Sequence, residues 1–151
     1  MFKHANSLLT TIALCFAAPL TIAETLADVT PTLVAAPVNV TTPSGLNYMI
    51  IRQGKGRHAQ AGEMFYTHYT LALTNGKKID SSYDRGEALG FSVGKGQVIK
   101  GMDEVALKLA LGDEAVVIIP PGLGYGDKGA GPIPGNSTLV FVMQVVEIRS
   151  K

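Results

Sequence analysis

Only one stretch of this chain carries a helical period, and it lies among runs that read as strands. Val98, Met102, Val105 and Leu109 recur at steps of four, three and four, the spacing of one apolar helix face. Asp103 and Glu104 fall off that face, and Gly112 stands where a C-terminal cap is expected. Upstream, residues 48–52 and 63–73 are rich in β-branched and aromatic side chains. Asn75-Gly76 follows the second run at once, a hairpin signal in which both turn positions favour positive φ, with residues 77–80 as the return strand. Residues 81–90 read as a polar turn and 91–93 as a short strand. Downstream, residues 115–119 are wholly apolar and are stopped by Pro120-Pro121. Residues 122–135 hold six Gly and two Pro and read as a long loop; residues 138–148 are apolar on both faces, as a central strand is. Several strands with one helix among them predict an α+β domain: a twisted, mostly antiparallel sheet wrapped around one short helix.

The beginning of the chain is set apart from that pattern. Lys3 is the only fully charged side chain before Glu24. Residues 8–18 are apolar apart from Thr10 and Thr11, and Pro19 leads into small residues up to Ala23. A basic, an apolar and a small-residue region in that order predict a secretory signal peptide over residues 1–23, with cleavage after Ala23 or after Ala27 both fitting a small last residue. The apolar run is shorter than the roughly 20 residues of a membrane span, so no membrane association is expected after cleavage. Residues 24–42, rich in Ala, Thr, Val and Pro, read as an extended linker or disordered arm, and residues 43–151 as the folded domain.

Charge and chemistry-bearing residues exclude several functions. Lys and Arg number 13 against 12 Asp and Glu in 151 residues, and removal of Lys3 leaves the two signs equal. This balance lacks the concentrated basic excess of a nucleic-acid binder. The single cysteine, Cys15, leaves with the leader, so the mature domain has neither a disulfide nor a thiolate metal site. His58 and His68 lack metal-ligand spacing. Residues 124–129 match G-x-G-x-x-G, but no helix is expected after them to hold a pyrophosphate. No metal or other cofactor is expected.

Several segments, in order, resemble the FKBP-type peptidyl-prolyl cis-trans isomerases, in particular the exported bacterial type. They are His68-Tyr69-Thr70, the run from Asn75-Gly76 to Asp80-Ser81-Ser82, and the run from Gly94-Lys95-Gly96 to Gly101-Met102. Pro121-Gly122-Leu123-Gly124-Tyr125-Gly126 and Ile133-Pro134 with Thr138-Leu139-Val140-Phe141 complete the pattern. Thr42-Pro43-Ser44-Gly45-Leu46 is similar to the lead-in of the exported members. The resemblance implies a shallow apolar pocket between helix and sheet. It implies catalytic roles for Tyr69, Asp80, the Ile99 backbone N–H and the Tyr125 hydroxyl. It also implies substrate binding by Ile79, Arg85, Leu89, Phe91, Val98, Met102, Ile133 and Phe141, with Met102 as the floor and Asp80 at the rim near Tyr69 and Arg85. The expected partners are proline-containing polypeptides and FK506-like macrolides. The family usually carries Trp at the Met102 position and Phe at the Ile79 position, and another common aromatic is Leu89 here, so reduced turnover and weakened macrolide binding are expected. The loop between Tyr125 and Ile133 is one residue shorter than the family's. The implied role is assistance to the folding of exported proteins, with location in a Gram-negative periplasm. The alternative is a module that grips proline-containing or unfolded segments with weak or no isomerase activity. The arm lacks heptads, which predicts a monomer.

Overall fold

Along residues 64–73 every second side chain is buried, the period-2 signature of a strand with one wet face. This strand organises the rest of the molecule. The computed structural model describes Pro37 and residues 39–150; the predicted signal peptide and most of the arm lie outside the described residues. The elements are β1 (Asn39–Thr41), β2 (Asn47–Arg52), β3 (Met64–Leu73), β4 (Lys78–Ser81), α1 (Ser82–Arg85), β5 (Leu89–Ser92), α2 (Lys100–Ala106), β6 (Glu114–Ile119) and β7 (Leu139–Arg149). All pairings are antiparallel. The sheet runs β1-β2-β6-β7-β3-β4, and β5 also pairs with β3. The sheet packed on one short helix is the architecture that the sequence predicts.

β7 is central, between β6 and β3, as its apolar composition predicts. Only one of its faces is covered, however: Phe141, Met143 and Val145 are buried while Val142 is 47% exposed. On the covered face α2 buries Met102, Val105 and Ala106 against a core that includes Phe65, Val117, Ile119 and Leu139. The helix comes so close to β6 that a Cβ on Gly101 would stand 2.5 Å from Ile119 Cγ2. A glycine is required there by packing and not by backbone conformation.

Four local expectations are corrected. Asn39–Thr41, assigned from sequence to the arm, forms β1 and pairs with β2 through Asn39–Met49 and Thr41–Asn47. The β3–β4 hairpin has a three-residue loop closed by Leu73 N–H to Lys77 O at 2.9 Å. Only Gly76 has positive φ (83°), so Asn75 stays on the ordinary side and its Oδ1 accepts the Lys77 N–H. One left-handed glycine suits this loop, whereas two are needed only in the two-residue type. Residues 81–90 contain the single helical turn α1, capped by the Ser81 side chain at Tyr83 N and closed by Gly86 at φ 69°. α2 ends at Ala106 and is capped at Leu107, five residues before Gly112; that glycine, at φ 91°, instead turns the chain into β6.

Candidate active site

The covered face of the sheet, α2 and the loop after β6 enclose a cavity of about 720 Å³, within the usual range for small-ligand clefts. Its position follows from the strand period. Tyr69 and Leu71 are two residues apart on β3, so both point to the helix side. Phe141 of β7 joins them, its ring tilted 53° to that of Tyr69 at a centroid distance of 5.7 Å. Met102 is the cavity-facing residue of α2 and is 4% exposed, so it is floor and core together.

The rim is polar. The Tyr69 hydroxyl donates to Asp80 Oδ2. Arg85 donates through Nη1 to Asp80 Oδ1 and through Nη2 to the Tyr69 hydroxyl at 3.0 Å. Asp80 also accepts the Ser81 N–H at 2.8 Å. The hydroxyl bond from Tyr69, together with the Arg85 guanidinium, holds the Asp80 carboxyl below its ordinary pKa, against the opposing effect of partial burial. Burial first, and the neighbouring carboxylate second, push the Tyr69 phenol up. At working pH the rim is therefore a neutral phenol, an anion and a cation in fixed relation.

α1 sets that relation. Ser82 is fully buried, and its Oγ accepts the Tyr69 N–H at 2.8 Å and donates to the Tyr69 carbonyl at 3.3 Å. On the other side it meets His68 Nδ1 at 3.0 Å. A four-residue helix has little stability of its own, so this serine ties α1 to β3 and aims Arg85, three residues on, at Asp80.

Two donors are left open on the opposite wall. Ile99 precedes α2, and its N–H has no acceptor among the described residues. The loop before it is held by Asp103, which accepts the N–H groups of Gly94 and Gly96 at 2.8 and 2.9 Å. Tyr125 stands in the glycine-rich loop, 38% exposed, and its hydroxyl has no partner among the described residues.

The cavity brings together ten of the twelve residues implied by the resemblance: Tyr69, Asp80, Ile99, Tyr125, Ile79, Leu89, Val98, Met102, Ile133 and Phe141. Arg85 is at the rim, bonded to two of them. Phe91 is not in the lining: it is 2% exposed on β5 and packs 5.5 Å from Phe65. Neighbouring Gly90 faces the other side, over the Tyr66 ring. Leu89 and Phe91 share one face of β5; Leu89 lies where the cavity opens, and Phe91, two residues further along the strand, lies in the core beside Phe65. The sequence reading missed Leu71, Gly96, Gln97 and the turn from Ala130 to Pro132. Leu71 was accessible from its period-2 relation to Tyr69. The other positions depend on loop paths, which carry no such period.

Among the described residues no helix is long and apolar enough to cross a membrane. A profile of the FKBP-type peptidyl-prolyl cis-trans isomerases matches residues 55–146. FK506-binding protein 1A of Neurospora crassa is 46% identical over 107 residues, 70% of this chain and 89% of that protein. A peptidyl-prolyl cis-trans isomerase of Schizosaccharomyces pombe is 43% identical over 109 residues, 71% of this chain and 97% of that one. The crystal structure of AtFKBP13 superposes with a TM-score of 0.71 at 37% identity, covering 75% of this chain and 99% of the other. The matched residues contain the cavity, its rim and its open donors, and the chain belongs to the FKBP-type peptidyl-prolyl cis-trans isomerase family.

Proposed function

We propose that the chain catalyses cis-trans isomerisation of X-Pro peptide bonds in this cavity, after export, on proteins that are folding outside the cytoplasm. The observation that carries the reading is the pairing of an apolar floor at Met102 and Phe141 with two open donors, the Ile99 N–H and the Tyr125 hydroxyl. An X-Pro amide crosses a barrier of about 18–20 kcal/mol because rotation destroys C–N double-bond character. The twisted amide has lost resonance, so its carbonyl is less polar than that of the planar form. An apolar cavity therefore favours the twisted state over the planar one. The proline ring takes the floor, and the donors hold carbonyls of the flanking residues, which fixes the chain on either side of the rotating bond. The phenol, carboxylate and guanidinium at the rim keep the mouth of the cavity in one shape.

Export rests on the amino-terminal sequence, with the signal peptide at residues 1–23 and a periplasmic destination. The chain acts as a monomer, which light scattering tests. FK506-like macrolides enter the same cavity but bind weakly, because Met102 and Ile79 present less flat surface than aromatic rings. The isomerase reading is tested with a refolding protein whose slow phase is a proline isomerisation. Acceleration of that phase by the domain supports it, and its absence at stoichiometric concentration overturns it.

A further inference from the structure

Gln97 is the polar side chain on the cavity wall that the rim and the two open donors leave unused. Its Oε1 accepts the Ser92 N–H at 2.7 Å. That bond settles which way the carboxamide faces. A backbone N–H only donates, so the atom that meets it is the oxygen, and the Nε2 group with its two N–H donors is turned away. Among the described residues Nε2 has no hydrogen-bond partner, and Gln97 is exposed. The side chain is held in place nonetheless. Ser92 fixes its tip, and the Asp103 carboxylate fixes the turn before it through Gly94 and Gly96. A donor so held loses little conformational entropy when it finds an acceptor.

Gln97 lies two residues before Ile99, so at most about 7 Å of backbone separates them. Both donors are therefore within reach of one short peptide. We propose that the Gln97 carboxamide is a further substrate-binding group, which donates to a backbone carbonyl of the polypeptide one or two residues beyond the unit held at Ile99. The inference rests on the isomerase reading and deepens it: the site prefers a longer peptide to one that ends beside the proline.

The test compares two proline peptides, one with a single residue on each side of the X-Pro pair and one extended by two further residues at each end. Turnover (kcat and KM) and direct binding (Kd from a fluorescent label) are measured for the wild type and for Gln97→Glu. Glutamate keeps an oxygen for Ser92 and nearly the same volume but has no donor to offer. The wild type is expected to favour the longer peptide. In Gln97→Glu the KM and Kd of the longer peptide rise about fivefold, the worth of one neutral hydrogen bond, while those of the shorter peptide rise less. Gln97→Ala, which also releases Ser92, is expected to weaken both peptides. An equal long-to-short ratio in wild type and Gln97→Glu overturns the inference. Length-dependent loss of binding in Gln97→Glu, with no turnover by the wild type, supports this contact and overturns the isomerase reading, so the two fail separately.

Discussion

The Tyr69 hydroxyl donates to the Asp80 carboxylate across two neighbouring strands, and Arg85, five residues after Asp80, bonds to both. A hairpin and one helical turn thus bring three polar groups to the edge of an apolar cavity. Their charges are offset within the group, so the cavity mouth carries no unpaired charge from them to repel a neutral peptide.

This arrangement has a pH signature. Asp80 titrates lower in the folded chain than in the unfolded one, chiefly because of the Tyr69 hydroxyl. Its contribution to stability is therefore complete above the unfolded pKa, about 3.9. It declines as pH falls below that value and is lost once pH passes the folded value. Glu63, held by Arg57 and lowered from 4.5 to about 2, adds the same sign across that window. Urea unfolding from pH 7 to pH 2 is expected to show falling stability below about pH 5. Asp80→Asn is expected to flatten part of that fall.

Gly101 makes an opposing demand on the helix. Alanine is the better helix former by about 1 kcal/mol, but its Cβ would stand 2.5 Å from Ile119 Cγ2, and Ile119 is fully buried. Overpacking of this kind costs about 1–3 kcal/mol. Gly101→Ala is expected to lower the urea midpoint, since the overpacking outweighs the gain in propensity.

Ser82→Ala removes the acceptor of the Tyr69 N–H and leaves that buried amide unpaired. The expected loss is about 1–3 kcal/mol in chemical unfolding. Because α1 also loses its tie to β3, isomerase activity is expected to fall further than in Gly101→Ala, which changes the core and leaves the rim intact.

The floor permits a gain as well as losses. Met102 is unbranched and 4% exposed, and the cavity above it measures about 720 Å³. Met102→Trp is expected to tighten FK506 binding about tenfold or more, at the scale of one added aromatic contact of about 0.5–1.5 kcal/mol together with its greater buried area. Calorimetric titration measures this directly.

The elements legible in the sequence were those with a period long enough to recur. β3 alternates over ten residues, and Met102 and Val105 mark the buried face of α2, while Leu109, which continues the same spacing, is buried beyond the helix end. α1 escaped because four residues make one turn and no period. The end of α2 was misplaced because Gly112 has the positive φ of a cap but uses it in the turn into β6. For the site, resemblance supplied most of the lining except Phe91, which shares the face of Leu89 but lies further along β5, packed on Phe65 and away from the cavity. Gln97 was invisible as a binding group because its orientation depends on a single tertiary bond to Ser92.

The central claim is that the apolar floor and the two open donors accelerate rotation about X-Pro. The most direct measurement is the rate of a proline-limited refolding phase with catalytic amounts of the protein, its Tyr125→Phe variant and its Met102→Trp variant. The account predicts clear acceleration by the domain, about two- to tenfold less with Tyr125→Phe for the loss of one hydrogen bond, and more with Met102→Trp. Refolding at the uncatalysed rate in the presence of the wild-type domain, or equal rates for all three proteins, would contradict it.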